Sequence, residues 1–149
     1  MATTFEDIEN LALVTIQDYK LDKLYAQSQD DFSTFLAGLV VRAVPLFTNC
    51  NKSLDYSLAT KSFTSDFNVF EKDILATLFI QIWLERVQQN LTQISSTMTP
   101  SDSKRTGVSQ LVKERQYLID VAREKNSQKM CDYSINTINF ANWGNGIFY

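Results

Sequence analysis

DFNVFEKDILATLFIQIWLERVQQNLTQI, residues 66–94, carries the longest apolar periodicity in the chain. Its large apolar residues are Phe67, Phe70, Ile74, Leu75, Leu78, Phe79, Ile82, Trp83, Val87 and Leu91. Steps of three and four mark one face of an α-helix. Asp66 offers an N-cap oxygen, and no Gly or Pro interrupts the run. Ala76 and Ile80 widen the apolar stripe, so the helix is expected to be buried on more than one side, with other helices as its partners. The acids Glu71, Asp73 and Glu85 are read as its outer face, and the Phe and Trp stripe as core.

The preceding stretch LDYSLATKSF, residues 54–63, has alternating Leu54, Tyr56 and Leu58. It reads either as a short β-hairpin near 54–64 or as an irregular loop pinned by three apolar side chains. Before it, Phe32, Phe35, Leu36, Leu39, Val40, Ala43 and Val44 predict a helix capped by Asp30 or Asp31 and ended or kinked before Pro45. Ala26 to Asp31 reads as a connection. The first helix begins at Thr3 or Thr4, where Thr3-x-x-Glu6 fits a capping box, and fades near Tyr19 or Leu24. After residue 94, SSTMTPSDSKRT reads as a polar loop, and a fourth helix starts near Gly107 or Val108 and extends toward Met130 and Tyr133. The chain is therefore expected to be mainly α: a four-helix domain over 1–134 built around the long central helix, then an extended C-terminal arm, 135–149.

Composition bounds the chemistry. An apolar fraction of 44% and a charged fraction of 21% are those of a globular domain, and 149 residues suffice for one core. There is no histidine. That removes Ser-His-Asp and Cys-His catalysis and His-ligated metals. Without a Walker loop, a GxGxxG or a nucleophile beside a base, the chain is read as no enzyme, with no cofactor and no metal. No apolar run is long enough for a membrane span, and the acidic start lacks a leader's pattern, so a cytosolic chain is expected. Cys50 and Cys131 are then free thiols.

Charge is unevenly spread. Residues 1–34 carry seven acids against Lys20 and Lys23, a net of −5. Residues 104–129 carry seven bases against three acids, a net of +4. Two solvated faces are one reading. The other is head-to-tail association, with Glu6, Glu9, Asp30 and Asp31 of one subunit meeting Lys113, Arg115 and Arg123 of the next. Lys104 and Arg105, in the polar loop ahead of a helix, could receive a phosphate. The arm INTINFANWGNGIFY has no charged residue. Either it folds back on the core, or Phe140, Trp143, Phe148 and Tyr149 anchor it to another protein.

The order of these parts resembles the small adaptor proteins of tailed-bacteriophage necks, the head–tail connector or head-completion proteins. The resemblance is carried by the acidic TTFEDIENLALVTIQDYKL, by SLDYSLATKSFTSDF leading into ILATLFIQIWLERVQQ, by SQLVKERQYLIDVAREK after a polar loop, and by the uncharged tail. The tail is slightly longer and more aromatic than the family's plan. The resemblance implies a virion protein of the neck, made in the host bacterial cytoplasm. It would form a homo-oligomeric ring, commonly a dodecamer, beneath the portal protein and join the DNA-filled head to the tail. The arm, through Phe140, Trp143, Phe148 and Tyr149, would dock on the portal. Another neck or tail protein would bind the opposite face, with channel DNA only in passing contact and no membrane involved. The alternative is a cytosolic helical interaction or regulatory protein, such as a small inhibitor or a tail-assembly chaperone.

Overall fold

The computed structural model describes residues 2–97 and 103–137, without the side chains of Ser95 and residues 103–106. The protein is mainly helical, as the apolar spacing predicts. In order, the elements are α1 (Phe5–Leu13), α2 (Tyr19–Gln27), α3 (Gln29–Ala43), a 3₁₀ turn (Val44–Leu46), β1 (Tyr56–Ser57), β2 (Ser62–Phe63), α4 (Val69–Thr97) and α5 (Ser103–Thr137).

Local chemistry corrects several boundaries. The expected first helix is two helices. The β-branched run Val14-Thr15-Ile16 ends α1, and the Asp18 carboxylate caps α2 by accepting the Lys20 amide at 2.9 Å. Ala26–Asp31 is no connection. Ser28 alone joins α2 to α3, its Oγ accepting the Asp31 amide at 3.2 Å, so Asp30 and Asp31 fall in the first turn and favour the helix dipole. Thr4, not Thr3, caps α1, in a box with Asp7. The long helix is capped by Asn68 in place of Asp66. Asn68 Oδ1 accepts the Glu71 amide at 2.9 Å, and Glu71 Oε2 accepts the Asn68 amide at 2.7 Å. The last helix starts at Ser103, so Lys104 and Arg105 lie in its first turn and not in a loop. It runs through Thr137, three residues into the segment read as arm.

The hairpin forms, with Tyr56 opposite Phe63 and Ser57 opposite Ser62. Its turn places Lys61 at φ 47°, the left-handed region. Residues 3–5 lie along β2. Thr3 donates to the Ser65 carbonyl and accepts the Phe63 amide, and Phe5 donates to the Lys61 carbonyl at 2.8 Å. Buried Thr3 also accepts the Phe67 amide through Oγ1 at 2.8 Å. The rings of Phe5, Phe63 and Phe67 meet in series, tilted by 52° and 65°, with centroids 5.1 and 4.9 Å apart.

The core is built on α4. Ile74, Leu75, Leu78 and Phe79 are essentially buried and pack with Phe5, Ile8 and Ala12 of α1 and Leu36, Leu39 and Val40 of α3. On α4, Trp83, Arg86 and Val87 line a groove with Leu21, Leu24 and Phe35, and Arg86 lies over the Phe35 ring at 4.4 Å. Thr77, Gln81, Glu85 and Gln88 bond instead to α5. At about 100° per residue these two sets point to opposite sides of α4. The long helix therefore separates α1–α3 from α5.

Candidate functional site

Between α1, α2 and α3 lies a cavity of about 810 Å³. Its most unusual lining group is Glu9. Phe5, Ile8 and Ala12 direct one face of α1 into the core, and Glu9 falls on that stripe four residues after Phe5. The side chain is only 8% exposed, and its Oε1 is buried without a hydrogen-bond partner. Burial pushes the Glu9 carboxyl up to about 7. Lys61 draws it partway back, and the neighbouring Glu6 charge raises it. Lys61 is held across the cavity wall, its Nζ donating to Ser33 Oγ of α3 at 2.6 Å. Glu6, Asp18 and Asp22 also line the space, as do Tyr25 and Phe32, whose rings meet edge to face at 5.3 Å.

A second buried glutamate sits in a different setting. Glu71, expected on the outer face of α4, is 2% exposed. Lys52 Nζ reaches its Oε2 at 2.8 Å and also donates to the Asp66 carbonyl at 2.7 Å. Tyr133 OH donates to Glu71 Oε1 at 2.8 Å and accepts the Asn51 amide at 3.3 Å. Burial would raise the Glu71 carboxyl, but the Lys52, Asn68 and Tyr133 donors outweigh it, and the group falls below its ordinary value. Burial and the adjoining Glu71 push Tyr133 up to about 12, against the Asn51 amide. Three donors thus converge on one carboxylate, tying loop 48–53 and the C-terminal part of α5 to the start of α4.

The seam between α4 and α5 is polar along its length. Asn126 Nδ2 donates to Gln81 Oε1 at 2.8 Å and to the Thr77 carbonyl at 3.3 Å. Gln88 donates to the Val112 carbonyl at 3.0 Å. Asp73 pairs with Lys129, and Glu85 with Arg123 at 2.8 Å, so neither acid points outward unpartnered. Ile119 and Tyr133 are the deeply buried apolar residues that α5 adds.

The charged residues singled out in the sequence separate into two groups. Glu6, Asp30, Asp31 and Lys113 are exposed, and no ion pair joins them to the described residues. Arg115 is half-buried. Glu9 is withdrawn from the surface, and Arg123 is committed to Glu85 within the chain. Beside Arg115, Leu111 and Leu118 remain 39% and 47% exposed, so the stripe 111–115–118 on α5 has no apolar cover among the described residues. Phe140, Trp143, Phe148 and Tyr149 lie outside the described residues. Cys50 and Cys131 are free thiols. No described helix is long and apolar enough to cross a membrane.

Sequence reasoning missed Glu71, Lys52 and Tyr133 as a unit. The signal for Glu71 was present, since positions 71, 74, 75 and 78 form a single stripe. No known protein family, curated protein or solved structure matches the chain.

Proposed function

We propose that this protein is a structural adaptor of a bacteriophage neck, assembling as a ring beneath the portal and joining the head to the tail. One observation carries the reading. The long helix α4 holds exposed acids on α1–α3 (Glu6, Asp30, Asp31), in no ion pair among the described residues, on one side and the basic helix α5, with exposed Lys113, on the other. Opposite charges on opposite sides of a rigid element suit a head-to-tail contact, and such contacts close into rings when their rotation permits. Leu111 and Leu118 flank Arg115 on the face of α5 turned away from Lys113 and give that face an exposed apolar stripe. The uncharged segment that follows α5 supplies the portal anchors Phe140, Trp143, Phe148 and Tyr149.

The test mixes the full chain with the portal ring of the same virus and images the product by electron microscopy. A ring added beneath the portal is expected, lost when residues 138–149 are deleted, a truncation that leaves α5 whole. Failure of the full chain to join the portal would overturn the reading.

A further inference from the structure

The cavity between α1, α2 and α3 has an acidic wall that the described residues do not neutralise. Glu6, Glu9, Asp18 and Asp22 line it, against the single ammonium of Lys61, and that ammonium is engaged by Ser33. The α3 side adds the uncharged Gln29 and Ser33. Among these acids Glu9 is the one taken out of water, with an oxygen left unpartnered. An unpaired buried carboxylate is costly unless it stays protonated or meets a cation. Tyr25 and Phe32 give the same cavity an aromatic wall, and guanidinium groups favour aromatic faces. This chain already uses that pairing where Arg86 covers Phe35. The volume, about 810 Å³, lies within the range of small-ligand sites.

We propose that this cavity binds a guanidinium carried on an aliphatic stem, with Glu9 as its counter-ion and the Tyr25–Phe32 pair as its aromatic wall. The ligand is an arginine side chain of another chain or a free alkylguanidine. The site does not require the ring assembly, and it stands or falls on its own.

Calorimetry with N-acetylarginine amide on the full chain tests it, because that probe stays a monocation from pH 6 to pH 8. Saturable one-to-one binding is expected at pH 8, about tenfold weaker at pH 6, where only about a tenth of Glu9 is ionised. The neutral isostere Glu9→Gln should bind at least tenfold more weakly at pH 8 while its circular dichroism matches wild type. No saturable binding at pH 8 overturns the site, as does equal affinity at the two pH values or in Glu9→Gln. If that variant does not fold, the pH comparison on the unaltered chain decides alone. Sedimentation at pH 8 then identifies the source. Self-association dispersed by the probe means an arginine of a second copy, and probe binding without self-association means an arginine or alkylguanidine from elsewhere.

Discussion

Glu9 and Glu71 are both buried glutamates on core-facing helix stripes, and they are provided for in opposite ways. Glu71 receives an ammonium, a phenol and its own N-cap amide, and its carboxyl is pulled below the ordinary value. Glu9 keeps an unpartnered oxygen, and burial lifts its carboxyl to about 7. Burial alone therefore does not say what a buried acid is for. The partners do. Around Glu71 every donor comes from a different segment, so the carboxylate is a knot that holds the fold. Around Glu9 the chain leaves a space and an excess of negative charge, so the folded state carries a cost there that a cation from outside can relieve.

The largest effect should come from cutting the knot. Glu71→Ala strands the Lys52 ammonium, the Tyr133 hydroxyl and the Asn68 amide together, and should destabilise the protein by about 3–5 kcal/mol in urea unfolding at pH 7. A carboxyl whose folded value is depressed contributes stability that is present above its unfolded value. That contribution is lost as pH falls through the folded value. The acid limb of the wild-type stability profile below about pH 4.5 should accordingly flatten in Glu71→Gln.

Glu9→Gln sharpens the contrast because its sign is opposite. The folded Glu9 carboxyl binds its proton more tightly than the unfolded one, so wild-type stability falls as pH rises from 4.5 to about 7. The variant should be more stable than wild type by about 2–3 kcal/mol at pH 8 and nearly equal to it at pH 5. Thermal melts at the two pH values read this directly. An equal difference at both would mean that Glu9 acts through packing and not through charge.

A smaller effect isolates one strand of the knot. Tyr133→Phe keeps the edge-to-face contact with Phe47, at 5.4 Å, but removes the hydroxyl shared by Glu71 and Asn51. A loss of about 1–2 kcal/mol is expected in denaturant unfolding. The smallest change is at the joint between α2 and α3, where Ser28→Ala removes one capping bond at a cost of about 1 kcal/mol. It should leave the pH dependence of both glutamates intact.

Much of the fold was legible because apolar spacing is a local property. The stripe on α4, the stop at Pro45 and the alternation near Tyr56 need no knowledge of the rest of the chain. The break at residues 14–18 was missed because the apolar rhythm of Ile8, Ala12 and Ile16 runs on past the end of α1. There one carboxylate, Asp18, redirects the backbone. Charged residues were read by a rule of exposure, and the rule fails where a distant donor arrives. Nothing local tells that Lys52 and Tyr133 converge on Glu71. Glu9 was singled out as a surface charge, although its position four residues after Phe5 already placed it on the buried stripe. The aromatic anchors of the arm fall outside the described residues, and their reading rests on composition.

The contrast between the two carboxylates is open to one direct measurement. With glutamate side-chain carboxyl carbons labelled with ¹³C, titration by nuclear magnetic resonance follows each group in the folded protein. Glu9 should titrate near 7 and Glu71 below its ordinary value of 4.5. Two ordinary titrations near 4.5 would contradict the account, because Glu9 would then be solvated and its cavity would lack the uncompensated charge on which binding depends.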